Sequence, residues 1–230
     1  MNRVRFKDLG SIKYREAWTL QEEIFNRVLS EKQPGAAARD DTTSQTLIFC
    51  EHPHVYTLGK NGKANNLLVN GKLLEKIGAE YYEIDRGGDI TYHGPGQLVG
   101  YPIFDLESMK IGVKEYISLL EDAIIYLLKD YGIESGRMEG ATGVWLDPVD
   151  KKNARKICAI GVRISRYVTM HGFALNINTN LDYFKYINPC GFDDKDVTSL
   201  QRETGREINM ASVKEQLRNR LSELFSLSWI

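Results

Sequence analysis

Apolar positions recur at helical spacing in three stretches of the chain and crowd into short runs in several others. From Tyr14 to Leu29, Ala17, Leu20, Ile24 and Val28 share one helical face, which predicts a helix. A second stripe, Val113, Ile117, Leu120, Ile124, Leu127 and Tyr131, predicts a helix over 113–131, with Gly132 as its stop signal. Val213, Leu217, Leu221 and Leu224 predict a last helix over about 211–225. Short β-prone runs lie between them, at Thr46–Cys50, Tyr81–Ile84, Gln97–Phe104, Gly143–Leu146, Lys156–Ile164 and Val168–Ile177. Asp147 to Ala154, with Pro148, Asp150 and Asn153, suits a turn between two of these strands.

The predicted order is helix, strands, helix, strands, helix. Strands that follow one another without a helix argue against a doubly wound parallel sheet. They favour an α+β fold, a mixed β-sheet flanked by helices, with residues 1–230 forming one domain. The linker-like stretch Glu31–Ser44 comes too early to divide the chain in two.

Composition narrows the function. Thirty basic and 31 acidic side chains leave a formal net charge of −1, so no basic field exists to neutralise nucleic-acid phosphates. No run approaches the ~18 apolar residues of a membrane span, and Met1–Asp8 lacks the apolar core of a signal peptide. Neither nucleic acid nor membrane is an expected partner. Three cysteines without secretory context read as free thiols in a reducing cytoplasm.

Those cysteines differ in setting. Cys50 and Cys158 sit in apolar strand-like runs and read as structural. Cys190 lies in Ile187-Asn188-Pro189-Cys190-Gly191-Phe192, a loop that can hold a thiol accessible. The position suits a nucleophile and suits a half-buried loop residue equally. A nucleophilic thiol needs a nearby base or cation. Strict alternation places Lys156 on one face with Cys158, Ile160, Val162 and Ile164. Buried there, it would act as a base; at a strand end, it would snorkel to water. Arg86-Gly87-Gly88-Asp89-Ile90-Thr91-Tyr92-His93-Gly94-Pro95-Gly96-Gln97 reads as a loop that lets backbone approach a ligand, or as an irregular turn. It matches no phosphate-binding pattern. His52 and His54 fit no zinc spacing, so no metal or other cofactor is expected, and His171 reads as a core histidine.

Together these segments resemble the lipoyl(octanoyl) transferases. The resemblance is carried by Glu51–Gly59, by Arg86–Pro102, by Lys156–Arg163, by His171–Asn176 and by Asn188-Pro189-Cys190-Gly191. It covers well over half the chain. It implies the fold shared with biotin protein ligases and lipoate ligases. It further implies that Cys190 carries an acyl group as a thioester, and that Lys156 lowers the pKa of that thiol. The acyl chain would be held by Arg86, Gly87, Gly88, Asp89, Ile90, Thr91, Tyr92 and His93, with Ala159, Ile160, Gly161, Gly172, Phe173 and Ala174 completing the pocket. The implied partners are octanoyl-acyl carrier protein as donor, and the lipoyl domains of 2-oxoacid dehydrogenases and the glycine cleavage H protein as acceptors. Two other readings stand beside it. An ATP-dependent lipoate or biotin ligase would need an adenylate site and no cysteine, and a non-catalytic acyl-carrier or lipoyl-domain binding module would keep the pocket without the Cys–Lys pair. A cysteine hydrolase fits poorly, because no Cys-His-Asn set is evident.

Overall fold

A computed structural model of the chain describes residues 1–33, 44–150, 152–188 and 196–230. Its elements run β1 (Asn2–Ser11), α1 (Tyr14–Glu31), β2 (Thr46–Glu51), β3 (Val55–Leu58), α2 (Gly71–Lys76), β4 (Glu80–Glu83), β5 (Ile90–His93) and β6 (Gln97–Ile103). They continue with α3 (Leu106–Met109), α4 (Val113–Asp130), β7 (Gly136–Met138), β8 (Ala141–Leu146), β9 (Arg155–Ser165) and β10 (Val168–Asn176). The chain closes with β11 (Asp196–Val197), α5 (Leu200–Thr204), α6 (Met210–Phe225) and β12 (Leu227–Trp229).

The large sheet has the order β12-β1-β2-β6-β10-β9-β8-β7, with β11 alongside β9. It is mixed: β1 pairs in parallel with both neighbours, while β2, β6, β10, β9 and β8 alternate antiparallel. This is the α+β arrangement expected from the sequence. The first element is a strand rather than a helix, and β5 lies inside the segment read as a loop.

Alternation along each strand sorts the core into two layers. Leu47 and Phe49 of β2 point to one face, where α4 and α6 cover them with Leu120, Ile124, Leu127, Val213, Leu217 and Leu221. Ile48 and Cys50 point to the other, where α1 contributes Ala17, Ile24, Phe25 and Val28. Each of these aliphatic side chains, fully buried, contributes ~1.5–3 kcal/mol. A second, three-stranded sheet, β4-β3-β5, stands apart from the first. Among the described residues no helix is long and apolar enough to cross a membrane.

Candidate active site

The site forms on the α1 side of β9 and β10, beneath the 86–89 turn and β5. Two cavities meet there. A wide cleft of about 670 Å3 carries Lys156, Trp145 and Thr142 at one end. A narrow cavity of about 50 Å3 reaches Tyr14, Val99, Tyr101 and His171 at the other. Arg86, Thr91, Ala159, Ile160, Gly161 and Ala174 line both, so the two are continuous.

Lys156 arrives by an unexpected route. Val144 of β8 pairs with Cys158, but the adjacent Trp145 pairs with Lys156, so β9 spends one extra residue at Ile157. Such a bulge breaks the alternation of side chains. Ile157 and Cys158 both join the core under α4 and α6. Lys156 follows Trp145 instead, and its Nζ lies 4.5 Å from the centre of the indole ring. The face inferred from strict alternation is therefore corrected in part: Cys158 is buried in the core, while Lys156 is half-buried in the cleft, whose lining it shares with Ala159, Ile160, Gly161 and Val162.

The 86–93 segment supplies the opposite wall. Arg86 is buried and donates from Nη2 to the Thr57 carbonyl oxygen (2.7 Å) and hydroxyl (3.1 Å), and from Nη1 to the Gly87 carbonyl (3.0 Å). Gly87 N–H donates to the Val162 carbonyl at 2.9 Å, which ties the turn to β9. A Cβ on Gly161 would stand 3.0 Å from the Gly87 oxygen and 3.2 Å from Arg86 Cδ, so a larger residue there would press the turn away from β9 by a few tenths of an ångström. Gly88 sits at φ +88°, the left-handed region that glycine enters freely. Asp89 Oδ1 accepts from the Ile90 N–H and Oδ2 from Asn66 Nδ2, both at 2.6 Å.

Along β5, Thr91 and His93 face the narrow cavity. Tyr92, between them, turns to the other face, packs with Tyr56 and Tyr183, and lines neither cavity. Of the predicted pocket residues, Arg86, Thr91, Ala159, Ile160, Gly161 and Ala174 border both cavities. Gly87, Gly88, Asp89 and Ile90 border the wide one, and His93, Gly172 and Phe173 the narrow one. A Cβ on Gly172 would meet the Gly100 carbonyl oxygen at 2.1 Å, so β10 and β6 could not pack as they do with any larger residue there.

The far end of the narrow cavity is polar by composition, and burial holds its histidines and tyrosines neutral. Burial drops the His93 pKa to about 3, and His93 Nδ1 donates to Gln97 Oε1 at 2.8 Å. Behind the wall, burial holds His52 at about 4; its Nδ1 donates to the Ile12 carbonyl, and Tyr101 OH donates to its Nε2, both at 2.7 Å. Tyr14 stacks on His93 with ring centres 5.9 Å apart. His171 sits at φ +60°, a costly conformation for a residue with a Cβ. Its Nε2 donates to Asp85 at 2.9 Å, and burial lowers its pKa in spite of that carboxylate. Asp85, held below the usual carboxylate range first by His171, also pairs with Arg163.

Cys50 and Cys158 are fully buried, and desolvation raises both thiols, as the structural reading of them expected. Cys190 lies outside the described residues. Among the described residues no group of three or more His, Cys, Asp or Glu side chains is arranged to hold a metal ion. Sequence reading missed Tyr14, Val99, Tyr101, Trp145 and Asn176 as cavity residues. His171 stood in a quoted motif, yet its place on the cavity wall was not expected.

Comparison with known proteins settles the family. The lipoyl protein ligase A/B catalytic domain matches residues 13–222. The chain belongs to this family. The octanoyltransferase of Bacteroides fragilis strain YCH46 is 59% identical over 220 residues, which cover 95% of this chain and 97% of that one. Kinship at that level over nearly the whole length makes the chain an acyltransferase of the octanoyltransferase branch. The fold extends further. The bipartite lipoate protein ligase of Thermoplasma acidophilum superposes with a TM-score of 0.69 at 15% identity, covering 100% of this chain and 86% of that one. Biotin protein ligase from Aquifex aeolicus gives 0.51 at 11% identity, covering 98% and 71%. The lipoate and biotin ligase fold is therefore this lipoyl ligase A/B family member's fold.

Proposed function

We propose that the chain moves an octanoyl group from the thioester of an acyl carrier protein to the acceptor lysine of lipoyl domains, through a thioester on Cys190 assisted by Lys156. The carrying observation is the continuous cavity, with Lys156 in its wide part and buried histidines and tyrosines held neutral around its narrow part. Ile187, Asp196 and Val197, which flank residues 189–195, line the same cleft as Lys156, and Val197 pairs with Lys156 across β11 and β9. That described residues on both sides of 189–195 border the cleft of Lys156 supports this reading.

In this reading the whole chain is a single catalytic domain working in the cytoplasm. Lys156 takes the Cys190 proton, or holds the thiolate once charged. The thiolate attacks the acyl carbonyl, the bond to the carrier's thiol breaks, and that thiol departs with the proton. The second half uses the neutral amine of the acceptor lysine. It attacks the Cys190 thioester, an amide forms, the bond to Cys190 sulfur breaks, and the proton lost by the amine passes to Lys156 beside the released thiolate. Because thioester is exchanged for thioester and then for amide, no nucleotide is needed, and the two substrates visit in turn. Acceptors are the lipoyl domains of 2-oxoacid dehydrogenases and the glycine cleavage H protein.

Mixing the protein with octanoyl-acyl carrier protein, without ATP or magnesium, tests this by intact mass. The expected result is one added octanoyl group, labile to hydroxylamine, lost in Cys190→Ala and passed on to a lipoyl domain. An adduct that persists in Cys190→Ala, or transfer that strictly requires a nucleotide, would overturn it.

A further inference from the structure

The bulge at Ile157 seats Lys156 on a specific partner. Its Nζ stands 4.5 Å from the Trp145 ring centre, within the ~6 Å over which an ammonium is attracted to an aromatic face. The ring is held in turn. Trp145 is 2% exposed, its Nε1 donates to the Ala141 carbonyl at 2.9 Å, and it packs with Ala141 and Ala154. Trp145 and Lys156 pair directly across β8 and β9, and both line the wide cleft. We propose that Trp145 is a positioning residue for acyl transfer: its indole face holds the Lys156 ammonium at the cleft, ready for a thiolate. This rests on the Lys156–Cys190 reading above and adds a role that neither the family match nor the motifs assign.

The physical case is differential. The indole quadrupole attracts the ammonium and not the free amine, and a fixed ring limits where a long, flexible side chain places its charge. Without the face, Nζ would visit the thiolate less often, and the thiol would drift towards its ordinary value. Other charges around Lys156 are unaltered by a change at Trp145. Arg86, Asp89 and Asp196 share the cleft, Arg155 precedes Lys156 on β9, and Glu121 and Cys158 lie towards the core side.

The test compares Trp145→Leu, which keeps an apolar side chain and removes the face, with Trp145→Phe, which keeps a face. Two readouts are used: the rate of Cys190 acylation by octanoyl-acyl carrier protein, and the pH profile of iodoacetamide alkylation at Cys190. Trp145→Leu should slow acylation by about three- to thirtyfold and shift the alkylation profile to higher pH, with KM for the donor unchanged. Trp145→Phe should recover most of the loss. In a Lys156→Ala background, Trp145→Leu should change neither readout further, because the cation is gone. An unchanged or faster reaction in a folded Trp145→Leu protein overturns the proposal, and so does an undiminished effect of Trp145→Leu in the Lys156→Ala background. A Lys156→Ala protein with wild-type rate and profile would instead remove the reading beneath it.

Discussion

At the Lys156 end the cavity carries charges of both signs, and at the Tyr14 end burial holds the histidines and tyrosines neutral. Lys156, Arg86, Asp89 and Asp196 border the wide cleft. Around the narrow end, beside the Arg86 that borders both cavities, the ionisable side chains are Tyr14, His93, Tyr101 and His171, and burial shifts each of these four towards its neutral form. In the proposed reaction the wide part would serve the carbonyl chemistry and the narrow part would take the alkyl chain. The difference is not one of residue type, since both ends are rich in polar side chains. It comes from partners. His93 is spoken for by Gln97, Tyr101 by His52 and His171 by Asp85 at Nε2 alone, its Nδ1 being buried without a partner among the described residues. A buried polar group satisfied in this way costs little and stays put.

The largest effect that would break this contrast is acid. A base whose folded pKa is depressed binds its proton more readily in the unfolded chain, so stability rises with pH across the window between the two values. For His52 that window runs from 6.5 down to about 4, and for His93 from 6.5 down to about 3. At pH 5 each histidine should cost about 2 kcal/mol relative to neutral pH, about 4 together. Urea unfolding at pH 7 and pH 5 measures this. Equal stability at both would mean that the narrow end is not the neutral, desolvated region described.

Next in size is the charge at the other end. With Lys156→Ala the Cys190 thiol should rise towards ~8.5, leaving only a few per cent thiolate at neutral pH, a loss of up to about thirtyfold in acylation rate, or ~2 kcal/mol. Lys156→Arg should restore only part of it, because guanidinium cannot serve as a base. Rates and alkylation profiles indistinguishable from wild type would leave the wide cleft without its proposed chemistry.

Much of the fold was legible in the sequence because it follows from short-range pattern. The helices α1, α4 and α6 were readable from their apolar stripes, although Val113 and Tyr131 fall at the rim of α4 rather than on its buried face. Strand β1 was not. Arg3, Arg5, Lys7 and Asp8 interrupt it, and Val4 is its one fully buried residue among the ten. Strand β5 was concealed by the glycines on either side of it. The glycine-rich and Ala159–Gly161 segments of the site were readable as motifs. The side on which Lys156 emerges was not, since it depends on the register between β8 and β9, which no single strand encodes. The closing wall of the narrow cavity escaped for a related reason. Tyr14, Val99, Tyr101 and His171 come from α1, β6 and β10, and only the folded chain brings them together.

That closing wall makes the smallest and most discriminating prediction. The stretch of β9 from Lys156 to Gly161 spans ~17 Å at ~3.3 Å per residue, and Tyr14, Val99, Tyr101 and His171 line the narrow cavity alone. Tyr14 stands there, 2% exposed, with His52, Tyr82 and His93 packed around its ring. If the end of the acyl chain meets this wall, Tyr14→Leu should open room for a longer chain. Each additional methylene buried contributes ~0.8 kcal/mol, about fourfold in kcat/KM, so the decanoyl-to-octanoyl ratio should rise by that factor for each methylene accommodated. Val99→Phe fills the same space from β6 and should move preference the other way, towards hexanoyl. The ratio is the readout because a merely destabilised protein would lose activity on all chain lengths together. Ratios that stay at the wild-type value in both folded variants would place the chain end elsewhere and leave the narrow cavity as packing, with the chemistry at Lys156 untouched.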